Sequence, residues 1–191
     1  MLWSIIKLLI DKKQEMDIFL KLILLSPFLF LAYFVLLYIK TRVPFVTTPK
    51  QYYNELFKHY KIKEGSVVYE LGCGQGDFLF AAEKFKPKKL IGFELSFLHV
   101  FYGKIKARFK SSKVAIKYKD FFKADLSDAD TIYLFLVMPV LIKTWKKIKR
   151  EGKPGTVVIV LADMIPNEKY FKKIPTRPQK QKSTFYYLYK L

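Results

Sequence analysis

The apolar positions of this chain fall into two patterns. From Leu22 to Ile39 there are 18 residues without a charge, nearly all aliphatic or aromatic, and extending back to Ile18 gives 22 positions with only Lys21 charged. At about 1.5 Å rise per residue, a helix of that length covers the roughly 30 Å hydrocarbon core of a bilayer. Lys21 stands near one end, where its stem can snorkel to the headgroups; Tyr38, Lys40 and Arg42 make an interfacial border at the other. A cleaved signal would have a shorter apolar region ending at small residues, and a core helix would show a polar stripe. Residues 18–40 are therefore expected to form a retained transmembrane anchor. Residues 1–17 read as an amphipathic segment with Trp3, Ile6, Leu9 and Ile10 on one face. It could lie along the interface or pack on a domain.

After a Pro-rich pre-domain segment (41–49), short apolar runs alternate with helical spacing through 50–191. Val67–Leu71, Lys89–Leu95, Val114–Lys119, Thr131–Val137 and Thr156–Ala162 read as strands, and Ser183–Leu191 as a closing strand paired with Tyr170–Ile174. Ala81–Phe85, Leu98–Phe109 and Leu141–Lys149 read as helices. Alternation of this kind predicts an α/β fold, a mostly parallel sheet covered on both faces. Ligands of such sheets bind beyond the carboxyl ends of the strands.

Composition adds an unusual pairing, 51% hydrophobic residues with a net charge of +19. The two properties are separated, since 30 of the 35 basic and 13 of the 16 acidic residues follow residue 40. Cys73 is the single cysteine, which excludes an internal disulfide framework and a thiolate zinc cluster; with two histidines, no metal site is expected. Lysines run through 84–89, 104–119 and 143–153 with aromatics interleaved, a pattern shared by nucleic-acid surfaces. No nucleic-acid motif accompanies them. For a tethered domain an anionic lipid surface is the nearer partner, at about 1 kcal/mol per basic residue. A general lysine bias is a third explanation.

The first strand runs into Glu70-Leu71-Gly72-Cys73-Gly74-Gln75-Gly76-Asp77. Alternate glycines allow positive φ and a close backbone approach to a ligand. A dinucleotide fingerprint would need glycine at position 77, and the Asp77 carboxylate suits a cationic or zwitterionic ligand better than a pyrophosphate. Glu94 closes the second strand, where an acid can accept both hydroxyls of a ribose. Asp120 closes the third, where an acid can accept from an adenine amino group.

With this ordered set the chain resembles the class I, seven-β-strand S-adenosylmethionine-dependent methyltransferases over 50–191. The resemblance implies a Rossmann-like seven-stranded sheet and S-adenosylmethionine as cofactor. It implies that Gly72, Gly74 and Gly76, with Cys73, line the methionine moiety and that Glu70 holds its ammonium group. Glu94 with Leu95 would meet the ribose, and Asp120 with Phe121 the adenine. More narrowly, Pro44-Phe45-Val46-Thr47-Thr48, the Phe93-Glu94-Leu95 triplet and Tyr133-Leu134-Phe135-Leu136-Val137-Met138-Pro139 are similar to the membrane-anchored lysine methyltransferases related to the ATP synthase c-subunit enzyme. That group implies a membrane protein substrate, of which an ATP synthase c-type subunit is one candidate, and a single-pass protein with its domain on the cytoplasmic side. Its loop usually reads G-[ST]-G-D-G-[RK], from which Gln75 and Asp77 depart.

Methyl transfer to an amine needs alignment and a neutral nucleophile more than a strong base. The end of the fourth strand carries no D/N-P-P-Y element, and the apolar Leu136, Val137, Met138 and Pro139 suit an aliphatic lysine chain. Phe45, Thr47, Thr48, Met138 and Pro139 are the candidates for the acceptor side. Phe45, Tyr52 and Tyr53 could offer aromatic faces to the amine or pack in the core. Thr47 and Thr48 could hydrogen-bond a ligand or cap the helix that begins near Pro49. The rival expectations are an RNA or small-molecule methyltransferase and a non-catalytic binding module on the same fold.

Overall fold

The computed structural model describes residues 2–41 and 46–191. The chain divides into two compact units, Met1–Arg42 and Val43–Leu191. The first contains one helix, α1 (Leu2–Thr41), continuous through both segments that the sequence separates. Lys12–Ile39 is long and apolar enough to cross a membrane. Pro27 lies inside α1 and has no N–H to give the Ile23 carbonyl, four residues back. The Ser26 hydroxyl supplies the missing donor, 2.8 Å from that carbonyl. In hydrocarbon, where water cannot substitute, a freed carbonyl needs such a partner.

The second unit opens with α2 (Lys50–His59), which buries Tyr53, Leu56 and Phe57 at i, i+3 and i+4. There follow β1 (Val67–Leu71), α3 (Asp77–Ala82), β2 (Lys89–Glu94), α4 (Phe97–Phe109), β3 (Val114–Tyr118), β4 (Thr131–Leu134), α5 (Met138–Glu151), β5 (Val157–Leu161), β6 (Lys172–Pro175) and β7 (Phe185–Lys190). The seven strands stand in the order β3-β2-β1-β4-β5-β7-β6. All neighbours through β5 are parallel, and β7 runs antiparallel to both β5 and β6. This is the Rossmann-like α/β sheet expected, with the closing hairpin shifted by a residue or two.

Strand order reverses between β1 and β4, so the cleft for a ligand opens at their carboxyl ends. Every residue of β1 is buried, because both faces are covered. Val68, Phe78, Leu79, Val100, Tyr133 and Tyr186 pack with α2 on one side. Tyr69, Leu71, Ile132, Leu134, Leu141, Trp145 and Ile148 pack on the other, with α5. Each fully buried aliphatic or aromatic side chain contributes about 1.5–3 kcal/mol.

Several boundaries differ from the expected ones. The helix placed at Ala81–Phe85 starts at Asp77, because Gly76 turns the chain in a left-handed conformation and lets Phe78, Leu79 and Ala82 reach the core; residues 83–85 are a single 3-10 turn. β4 ends at Leu134, since the chain leaves the sheet to begin α5, where Pro139 sits in the first turn and loses no helical bond. A 3-10 turn at Phe121–Lys123 follows β3.

Candidate functional site

The glycine loop leaves β1 with Gly72, Gly74 and Gly76 at φ of 75°, 52° and 80°, a region open to glycine at little cost. Gly72 and Cys73 both donate to the Phe93 carbonyl, at 2.9 and 3.1 Å, tying the loop to β2. A Cβ on Gly72 would come 3.2 Å from Leu136, which places the segment just after β4 against the loop.

Glu94 draws this region together. Its Oε2 accepts from Gly74 N–H at 2.8 Å, and its Oε1 accepts from Leu95 and Ser96 N–H at 2.8 and 2.7 Å. A carboxylate has about four lone-pair positions, so roughly one remains for a ligand. The expectation that Glu94 accepts both ribose hydroxyls thus meets a residue already engaged in shaping the loop. Asp120, two positions beyond β3, accepts Phe122 N–H at 2.9 Å through Oδ1 and starts the 3-10 turn that carries the buried Phe121. Lys119 N–H donates to the Glu94 carbonyl at 3.1 Å, so the two acids close neighbouring strand ends.

Cys73 turns inward. A Cβ on Gly92 would come within 2.5 Å of its Sγ, and burial, then the Glu70 carboxylate, pushes the thiol pKa up. Cys73 therefore has only backbone to offer a cofactor. Asp77, the departure from the familiar loop, opens α3 and pairs with Lys106 of α4. Lys106 also lies 4.5 Å from the Phe80 ring centre.

Sheet register sets Glu70 of β1 beside Tyr133 of β4. Glu70 Oε2 is buried with no hydrogen-bond partner, and burial, followed by the Asp77 carboxylate, holds its pKa well above the ordinary carboxyl range. The phenols of Tyr53, Tyr133 and Tyr186 are electrostatically coupled to this carboxylate, and burial raises each of their pKa values. Tyr133 and Tyr186 hydroxyls are close to one another yet make no hydrogen bond of good geometry. Phe78 stacks on Tyr133 with ring centres 4.0 Å apart, and Tyr53 meets Tyr133 edge-on at 6.2 Å. The Thr48 hydroxyl lies beside the Tyr53 and Tyr133 phenols. Together these residues form a buried aromatic cluster in which Glu70 Oε2 and the Tyr133 and Tyr186 hydroxyls lack a partner.

Of the acceptor-side candidates, Thr48 stands at this cluster and Thr47 is exposed. Neither caps α2, whose N-cap is Pro49 with no side-chain bond. Met138 packs into the core on the α5 side, opposite Glu70, and Pro139 is exposed at the start of α5. Phe45 lies outside the described residues. Tyr133 and Tyr186 are the additions, with no functional role foreseen in the sequence. Their signal was a phenol at a core-facing strand position, where a hydroxyl has to find a partner.

These residues fit S-adenosylmethionine. The left-handed glycines keep Cβ atoms off the loop, and the unpartnered Glu70 oxygen calls for a donor such as an ammonium group.

A family model described as the ANTKMT methyltransferase domain matches residues 70–170. A relative from Saccharolobus islandicus (strain REY15A), named protein-lysine N-methyltransferase, is 31% identical over 120 residues, covering 61% of this chain and 74% of that protein. An RNA methyltransferase from Salinibacter ruber, solved with S-adenosyl-L-homocysteine, superposes with a TM-score of 0.69 at 22% identity, covering 76% of this chain and 93% of that one. A SAM-dependent methyltransferase from Aquifex aeolicus gives 0.56 at 17% identity, covering 71% and 87%. The structural likenesses share the fold.

Proposed function

The chain belongs to the ANTKMT methyltransferase domain family, and on that premise we propose that this S-adenosylmethionine-dependent methyltransferase modifies lysine side chains of a protein held at a membrane. The lysine assignment is supported by the name of the Saccharolobus islandicus relative. The observation that carries it is the buried, unpartnered Tyr133 and Tyr186 hydroxyls beside the unpartnered Glu70 oxygen, polar atoms suited to a neutral amine next to one suited to an ammonium group.

The chemistry that S-adenosylmethionine supplies when bound is an electrophilic methyl on a sulfonium sulfur. The protein's part is to bind, orient and desolvate. In our reading Gly72, Gly74, Gly76 and the Cys73 backbone receive the methionine moiety, and Glu70 accepts from its ammonium group. The remaining acceptor positions of Glu94 and Asp120, with Leu95 and Phe121, take the nucleoside. Tyr53, Tyr133, Tyr186 and Thr48 receive the lysine amine, where burial favours the neutral form that can attack. Phe45, Thr47 and Pro139 remain candidates for the substrate side, whereas Met138, packed on the α5 side opposite Glu70, does not.

Residues 18–40 are read as a single-pass anchor and 41–49 as the segment joining it to the catalytic domain, 50–191. The domain faces the cytoplasm, where the cofactor is available. An ATP synthase c-type subunit is a candidate substrate through the family resemblance.

The test is to incubate the full-length protein with its native membranes and methyl-labelled cofactor, then map the label by mass spectrometry. Label on lysine of a membrane protein is expected. Label confined to RNA or lipid overturns the reading.

A further inference from the structure

The outward face of α4 is apolar where a surface helix should be polar. Phe97, Phe101, Ile105 and Phe109 follow one another at i+4 spacing, a single ridge along the helix. Phe97, Phe101 and Phe109 are 58%, 49% and 87% exposed. The inward face is already complete, formed by His99, Val100, Gly103 and Ala107. Tyr118, exposed at the end of β3, meets the Phe97 ring edge-on at 6.2 Å and extends the patch across the strand. By contrast α5 is conventionally amphipathic, burying Leu141, Trp145 and Ile148 and exposing Lys146 and Lys149. Exposed aromatic ridges of this kind mark interaction surfaces.

Charge identifies the partner. From Leu95 to Lys119 there are seven basic side chains and no acidic one. Among the described residues only Lys106 of these has an acidic partner, Asp77, while Lys104, Arg108, Lys110, Lys113, Lys117 and Lys119 are exposed. Aromatic rings beside unpaired lysines suit the headgroup boundary of a bilayer, where rings enter the acyl edge and cations meet anionic headgroups.

We propose that the outer face of α4, with Tyr118, is a second membrane contact that seats the catalytic unit on an anionic bilayer surface. This rests on the reading of α1 as an anchor, which keeps the surface within reach of lipid. α4 begins at Phe97, three residues after Glu94, so the contact sets the cofactor end of the sheet beside the bilayer.

The full-length protein, reconstituted in phosphatidylcholine vesicles with and without phosphatidylglycerol, carries a nitroxide label at one introduced cysteine. The variants are F101C, F109C, K182C as a control away from the patch, and L29C within α1. Power-saturation measurements compare access of lipid-soluble oxygen and of a water-soluble nickel chelate. The expected result is an oxygen-to-nickel ratio several-fold higher at 101 and 109 than at 182 in the anionic vesicles, falling when phosphatidylglycerol is omitted. Ratios at 101 and 109 equal to that at 182 overturn the proposal, as does loss of access to both reagents, which would mean that protein covers the patch. A ratio that does not depend on phosphatidylglycerol overturns the anionic-lipid assignment. The label at 29 reports on the anchor separately: lipid exposure at 29 with water exposure at 101 and 109 leaves the anchor standing and removes the docking face.

Discussion

Glu94 reaches back from the end of β2 to hold Gly74 by its amide, 2.8 Å from Oε2, while Oε1 accepts from Leu95 and Ser96. All three partners are donors, so an amide in place of the carboxylate can satisfy only one side. Glu94→Gln should therefore behave nearly as badly as Glu94→Ala. Both should lose about 1–3 kcal/mol of stability, the cost of stranded donors, and at least tenfold in cofactor affinity. Calorimetry with S-adenosylhomocysteine and thermal melts measure the two effects. Full affinity in Glu94→Gln would show that the clamp is dispensable.

Tyr133 and Tyr186 carry buried hydroxyls without partners. For residues serving only the core, Tyr→Phe removes an unsatisfied group and leaves stability equal or higher. Residues that receive a substrate amine should also lose turnover. Tyr133→Phe and Tyr186→Phe are expected to melt at or above the parent temperature while methyl transfer falls about tenfold, about 1.4 kcal/mol in the barrier. Unchanged transfer with a raised melting temperature would remove these phenols from the acceptor site.

Glu70 has a pKa raised well above its ordinary 4.5 by burial and then by Asp77. Its folded form holds the proton longer than its unfolded form, so between 4.5 and the raised value the native state binds more protons. Its stability contribution is full below that window and is lost as pH climbs through it. Glu70→Gln should thus melt higher than the parent protein, by a margin that grows from acid toward neutral pH, and should bind cofactor poorly. A margin independent of pH would contradict this linkage.

Gly76 sits at φ 80°, and a Cβ there would stand 2.9 Å from Ile116 Cδ1. Gly76→Ala should cost about 1–2 kcal/mol from the left-handed backbone alone, with the contact adding to it. Ile116→Val deletes the offending methyl, so the double variant should cost less than the sum of the two single ones. Denaturant titrations of the four proteins give the coupling directly. Simple additivity would mean that the contact is relieved by a small shift of Ile116.

Much of the sheet was legible because its strands are apolar runs that begin and end at turn residues. Val67–Leu71, running from Ser66 into Gly72, is found where the pattern sets it. The positions of the glycine loop and of Glu70, Glu94 and Asp120 were legible for the same reason, each lying at or just past a strand end. Less could be read where geometry depends on chain distant in sequence. Glu94 looked like a free acceptor because nothing local shows that the loop twenty residues earlier folds back onto it. The tyrosine cluster needed the β1–β4 register and the antiparallel insertion of β7 between β5 and β6 to bring Tyr186 toward Glu70. The start of α3 was hidden because it has no side-chain cap, only the left-handed Gly76.

Cys73 lies flush against Gly92, enclosed and held protonated by its surroundings. A thiol in that state is a poor nucleophile toward peroxide and alkylating reagents. The glycine loop therefore carries sulfur without carrying an oxidation hazard. A cysteine introduced on the surface becomes the one reactive thiol that the molecule displays, with no need to replace the native one.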